Sequence, residues 1–311
     1  MNSKKSFFES RKNLVFVALI YTFLWGCAFP LVKMCMDSFG ISENDNMAKC
    51  LLAGIRFSFS GIFTLVWCGF SYSDGIRIQK AHIGIIVLYG VLATALQYSF
   101  TYIALSFMEG SKGAVFDQLC VFVIILTGGI FFKDDKLGIN KIIGCILGFA
   151  GVLFVNINGI SLSFSLLGEG VMLLAVICQT AAYFVAKKAG NLLPAAKLVG
   201  YGQLTGGVLL TVFAYALGGR LTGFSPVGFV TLAALVFISA FAYVMSLMPL
   251  KYFPASEVSS FNLLITVFGV VMSGVILGEN VLKINYFISL ALISAGIIFV
   301  NRRKKNNVES I

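Results

Sequence analysis

The sequence predicts an all-α integral membrane protein, with ten transmembrane helices arranged as two inverted five-helix repeats. Three observations carry this. Of 311 residues, 59% are hydrophobic and 12% charged, with a mean hydropathy of +0.94; a soluble domain carries about 25% charged residues. The apolar residues gather into ten runs, each near the roughly 20 residues that one bilayer crossing needs. Residues 104–156 also align on residues 249–301 without a gap, at a constant offset of 145. This composition excludes a water-soluble enzyme.

The chain opens on a basic, polar stretch at 1–13 and enters its first apolar run at 14–36. The order resembles a secretion signal, but the run is too long and lacks a small-residue cleavage site, so it reads as an uncleaved first helix. Further runs cover 49–70, 83–105, 111–132, 139–157, 166–186, 197–217, 226–248, 256–277 and 284–300. Short loops remain, with no room for a soluble domain, and the halves divide into 1–157 and 158–311. With the N-terminus inside, the cytoplasmic segments hold seventeen Lys and Arg, from Lys4 to Lys305, against Lys49, Lys112, Arg220 and Lys283 outside. That asymmetry places both termini in the cytoplasm of a cell whose plasma (inner) membrane holds the protein. The net charge of +10 therefore belongs to loops and not to a nucleic-acid surface.

The repeat aligns Ser111 with Ser256, Phe116 with Phe261, Gly129 with Gly274, and Phe154-Val155-Asn156 with Phe299-Val300-Asn301. Helices four and five thus recur as nine and ten. A unit of five spans is odd, so the second copy enters the membrane from the opposite side, as in many secondary transporters.

Trp25-Gly26, Arg56, Ala104-Leu105 and the segments LGINKIIGCILGFAGVLFVN (137–156) and LGENVLKINYFISLALISAGIIFVN (277–301) give the chain a family likeness. It resembles the EamA-type members of the drug/metabolite transporter superfamily over nearly its whole length. The resemblance implies a ten-helix fold and the movement of amino acids, metabolites, drugs or sugar derivatives, often outward. The chain departs from the family pattern at Lys133-Asp134-Asp135, in lacking a mid-helix Pro in helix four, and in carrying Asp117.

Polar side chains inside spans are costly and are functional candidates. Trp25, Gln97, Tyr98, Gln179, Tyr183, Tyr243 and Asn262 are expected to wall a midplane substrate cavity, together with Asp117. Aromatic faces and neutral amides suit a small amphipathic solute such as an amino acid. Glu109, Glu169, Glu257 and Glu279 sit at span edges and read as solvated. Arg56 and Asp117 both lie roughly 10 Å below the outer surface, at about 1.5 Å per residue, and are expected to pair as an outer gate. Gln203 (at an offset of 147 from Arg56) and Asn262 would form a weaker inner gate.

The seven cysteines are scattered and the single His82 lies at a boundary, so no zinc site is expected. Cys35 and Cys50 flank one loop, which leaves a disulfide between them open. No nucleotide loop, cofactor motif or Ser/His/Asp set occurs, which excludes ATP-driven transport by this chain alone. The expected partners are a small-molecule substrate and membrane lipids, with proton or ion coupling open. The leading reading is a secondary transporter or facilitator working by alternating access. A membrane enzyme or a channel is the alternative.

Overall fold

The computed structural model describes residues 10–42, 44–105, 107, 110–156, 165–278 and 284–302. Glu109, Glu279, Lys4, Lys5, Lys283, Arg303, Lys304 and Lys305 fall outside them. The described residues are helical, with no strand among them.

In chain order the helices are α1 (Arg11–Ser38), α2 (Asn46–Ser71), α3 (Ile83–Gly90), α4 (Gln97–Ala104), α5 (Gly110–Phe131) and α6 (Ile139–Asn156). They continue with α7 (Val171–Ala189), α8 (Ala195–Ala216), α9 (Pro226–Leu247), α10 (Ala255–Ser260), α11 (Leu263–Leu277) and α12 (Ile284–Asn301). Seven segments are long and apolar enough to cross a membrane, the third being Lys80–Ala104 and the last Ala255–Leu277. Val115–Phe131, Ile139–Phe154 and Tyr286–Asn301 are shorter apolar helices.

Three of the expected spans are not single α-helices. The run expected at 166–186 opens on a π-helical stretch at Leu166–Gly170. Val91–Leu96 between α3 and α4 is a π-helical stretch, a wider winding that recurs at functional sites. The run expected at 256–277 breaks into α10 and α11 at the turn Phe261-Asn262.

Helix ends are set by local chemistry. Asp45 caps α2 by accepting the Ala48 amide at 2.8 Å, and Ser225 caps α9 just before Pro226, which needs no amide partner at the first helical position. Gly278 closes α11 with φ +69°, where a side chain would be strained.

The helices meet through glycine. Along α2 and α8, a Cβ added at Gly61 would lie 2.7 Å from the Gly200 carbonyl, and one at Gly207 would lie 2.9 Å from that of Gly54. Along α6 and α12, a Cβ at Gly144 would lie 2.7 Å from the Gly296 carbonyl, and one at Gly151 would lie 3.1 Å from that of Ser289. Backbones this close gain dispersion contacts that lipid cannot supply. Around these seams α1 packs on α9 and α11, while α7 packs on α5 and on the α3–α4 segment. Large apolar side chains such as Phe70, Ile130, Val230 and Ile298 stay exposed on the outside of the bundle, a surface that suits a lipid environment.

All seven cysteines are free thiols, so Cys35 and Cys50 do not pair; Cys35 instead approaches the Gly228 carbonyl at 3.8 Å. Two acids expected in solvent are buried. Glu169 is 2% exposed and accepts the Ser165 amide at 2.6 Å, and Glu257 is 6% exposed.

Candidate functional site

Mid-bundle, α1, α2, α4 and α9 bring together Trp25, Arg56, Phe57, Tyr98 and Tyr243. Trp25 stands edge-on to Tyr243 with centroids 4.8 Å apart. The Tyr98 and Tyr243 hydroxyls lie 3.3 Å apart, a hydrogen bond that spans 145 residues of sequence. Phe57 packs on Tyr98 at 4.6 Å, and Tyr102 follows at 6.2 Å from Tyr98. The Arg56 guanidinium lies 4.9 Å from the Phe57 ring centre and 5.8 Å from that of Trp25. Aromatic faces attract a cation and offset part of its desolvation.

Arg56 is 6% exposed. Its Nε donates to Ser239 Oγ at 2.7 Å, and Ser239 Oγ donates in turn to the Leu235 carbonyl. Gln203 joins the same point: its amide nitrogen donates to the Ser239 carbonyl at 3.3 Å, while its oxygen accepts from Ser60 Oγ at 2.7 Å. Arg56 and Gln203, expected in separate gates at opposite depths, thus share one network on α9. One guanidinium nitrogen, Nη2, is buried and has no partner. Such an atom forgoes a charge-assisted bond worth about 1.5–3 kcal/mol.

Asp117 is half-buried on α5. It makes no ion pair with Arg56, and no carboxylate hydrogen bond to it is found among the described residues. The direct ion pair expected between Arg56 and Asp117 from matched depth is absent from this conformation. Matched depth fixes position along the axis but not the direction in which each helix turns its side chain.

The remaining candidates separate. Tyr183 and Gln179 on α7 sit apart from the aromatic group, beside α5, where Thr180 Oγ1 donates to Cys120 Sγ at 3.5 Å. The Tyr183 hydroxyl and the side-chain oxygens of Gln179 and Gln118 are buried without partners there. Gln97 is buried at the start of α4. Asn262 lies in the turn between α10 and α11, half-buried, with no contact to Gln203 shown.

Sequence reasoning missed the end of the bundle that holds Arg11. There α10 is tied down by side chains from three other segments, with further charged contacts around it. The Glu257 carboxylate accepts from Arg11 Nη2, with both oxygens at 3.1 Å. Lys187 bridges Asp134 and the Phe253 carbonyl, each at 2.9 Å. Asp135, fully buried, accepts the Ser256 amide at 2.9 Å and also the Ser256 hydroxyl. Lys141 pairs with Asp135 at 2.5 Å, and Asn301 donates to Ser260 Oγ at 2.9 Å. The Lys133-Asp134-Asp135 departure in the sequence was the one available signal. Nearby, Lys197 on α8 pairs with Asp74 at 2.6 Å, and its ammonium holds that carboxyl below the usual carboxylate range.

The comparisons agree with this architecture. A crystal structure of a protein at 15% sequence identity superposes with a TM-score of 0.77, covering 94% of this chain and 97% of the other, which shows a shared fold. "Uncharacterized transporter YvbV" of Bacillus subtilis (strain 168) is 27% identical over 301 residues, 93% of this chain and 92% of the relative. The EamA-like transporter family matches residues 12–157 and again 166–302. The chain is thus a multi-pass membrane protein and belongs to the EamA-like transporter family, within the drug/metabolite transporter superfamily.

Proposed function

We propose that the protein is a secondary transporter that exports a small zwitterionic or amphipathic metabolite, such as an amino acid, across the plasma membrane by alternating access. Ten spans form two inverted five-helix repeats, 1–157 and 158–311, with both termini cytoplasmic. The exchange of packing partners supports the repeat. Gly54–Gly207 and Gly61–Gly200 convert into one another at an offset of 146, and Gly144–Gly296 and Gly151–Ser289 do so at 145. That register pairs Arg56 with Gly202 and not with Gln203.

The observation that carries the substrate reading is the buried, unpartnered guanidinium nitrogen of Arg56 beside the Trp25, Phe57, Tyr98 and Tyr243 rings, with Asp117 on α5 as a second charge inside the bundle. A substrate carboxylate would take Arg56 Nη2, a substrate ammonium would take Asp117, and the side chain would lie against Trp25, Tyr98 and Tyr243. Gln97, Gln179, Tyr183 and Asn262 would line the route. A channel would need a continuous path, whereas the Arg11 end is bolted shut around α10.

Flux of labelled amino acids from liposomes containing the purified protein tests this. Arg56→Lys keeps the charge but loses the Nε bond and the planar fork, and is expected to reduce flux about tenfold or more. Asp117→Asn is expected to raise KM for zwitterions and to spare solutes without an amine. Equal flux in wild type, Arg56→Gln and Asp117→Asn would exclude this site.

A further inference from the structure

We infer that the Arg11 end carries a binding site for the phosphate headgroup of an anionic membrane lipid, in a cleft between the α5–α6 turn, the start of α10 and the end of α12. The cleft encloses about 340 Å³. Its charged walls are Lys133, Asp134, Lys136, Lys141, Glu257 and Arg302. Three of these are already matched: Asp134 by Lys187 at 2.9 Å, Lys141 by the buried Asp135 at 2.5 Å, and Glu257 by Arg11 at 3.1 Å. Lys133, Lys136 and Arg302 are exposed and form no ion pair with any described residue. The cleft thus presents three unmatched cations over a floor whose acids are neutralised, which is the complement of an anion.

A lipid fits this site better than a free anion because of what lies below it. The α5 and α6 surfaces that run from the cleft into the apolar zone expose Phe131, Ile139, Ile142 and Ile146. A molecule with a phosphate in the cleft would lay its acyl chains along that face. The chain's own C-terminal segment is a poor occupant, because it begins Arg303-Lys304-Lys305 and repeats the charge of the cleft. The cleft is also already a seam: Asn140 Nδ2 donates to the Arg302 carbonyl at 3.1 Å, so a phosphate bridging Lys133 and Arg302 would reinforce an existing contact between α6 and α12.

Each basic group near an anionic lipid surface contributes about 1 kcal/mol, so three give a preference of roughly a hundredfold over a zwitterionic lipid with the same chains. The test uses the purified full chain in detergent, titrated with phosphatidylglycerol or phosphatidylcholine of identical chains and read by native mass spectrometry. A parallel arm adds millimolar inorganic phosphate. The expected result is retention of one phosphatidylglycerol about a hundredfold more tightly than phosphatidylcholine, with phosphate failing to displace it. The preference is expected to be lost in Lys133→Gln/Lys136→Gln/Arg302→Gln and kept in Lys133→Arg/Lys136→Arg. Should the triple variant not fold, the exposed pair Lys133→Gln/Lys136→Gln carries the test with a loss of about tenfold or more. Equal retention of the two lipids, displacement by phosphate alone, or an undiminished preference in the Gln variants would overturn the site.

Discussion

The two ends of the bundle are held by different kinds of contact. At the Arg11 end, charged side chains cross between segments: Arg11 to Glu257, Lys187 to Asp134, Lys141 to Asp135, and Lys197 to Asp74. At the Gly40 end backbone, hydroxyl and thiol groups make contacts between segments. The Gly223 amide donates to the Phe39 carbonyl at 2.9 Å, and Thr222 Oγ1 reaches the Gly40 carbonyl at 3.4 Å. Arg220 there turns back on the Tyr215 and Gly219 carbonyls of its own segment. Separating the first end means parting opposite charges, of which the Lys141–Asp135 pair is buried, whereas the contacts named at the second end are neutral hydrogen bonds.

Asp135→Ala is expected to break this comparison most severely. It removes a fully buried carboxylate that caps α10 and matches Lys141, and breaking such a pair costs about 3 kcal/mol. Two readouts follow: a lowered thermal midpoint, and at least tenfold faster thiol labelling of Cys120 in a background with the other six cysteines replaced. A lowered midpoint with unchanged labelling would show that Asp135 stabilises the fold without closing this end.

The glycine seams serve as a control, because they belong to neither end. Gly61→Ala would place a methyl 2.5 Å from the Leu204 amide nitrogen. It is expected to destabilise by about 2 kcal/mol through overpacking, with no change in the relative labelling of the two ends. A selective opening of one end would show that the seam itself sets the conformation.

Arg11→Gln should cost less, about 0.5 kcal/mol, because the Arg11 side chain is 45% exposed and water screens its pair with Glu257. A cost as large as that of Asp135→Ala would make α1 the principal tie on α10.

The smallest effect is a dependence on pH. Lys197 lowers the Asp74 pKa in the folded protein. The stabilisation is therefore complete above the unfolded carboxylate value of about 3.9 and fades as pH falls through the lower folded value. Asp74→Asn is expected to flatten the midpoint-versus-pH curve only in that acid window; flattening near neutrality would point to another group.

Much of the architecture was legible because it follows from repeated, local costs. Each apolar run reports its own need for lipid, and the offset of 145 surfaces again as the Tyr98–Tyr243 hydrogen bond. Arg56 was legible as a site because an uncompensated charge inside a span is costly. Its partner Ser239 was not, since a serine in a helix can satisfy itself on the preceding turn, as Ser239 Oγ does on Leu235. Asp135 stayed hidden for a different reason. In a Lys-Asp-Asp loop it reads as solvated, and the residue that buries it, Ser256, lies 121 positions away. The break within the span expected at 256–277 carries no Gly or Pro at the turn Phe261-Asn262 to announce it.

The glycine seams limit how the bundle can deform. Where Gly61 meets Gly200 and Gly144 meets Gly296, the backbones lie too close for a Cβ, which leaves little slack for sliding, so each seam would act as a fulcrum. Displacement then grows with distance from it, and the largest excursions fall on the elements at the tips of the lever arms. The six-residue α10, joined to α11 only through a turn, is one such tip. A rotation of about 10° at a seam moves a point 15 Å away by roughly 2.5 Å, close to the reach of one hydrogen bond. Such a swing is enough to part Asp135 from Ser256 while the glycines stay in contact.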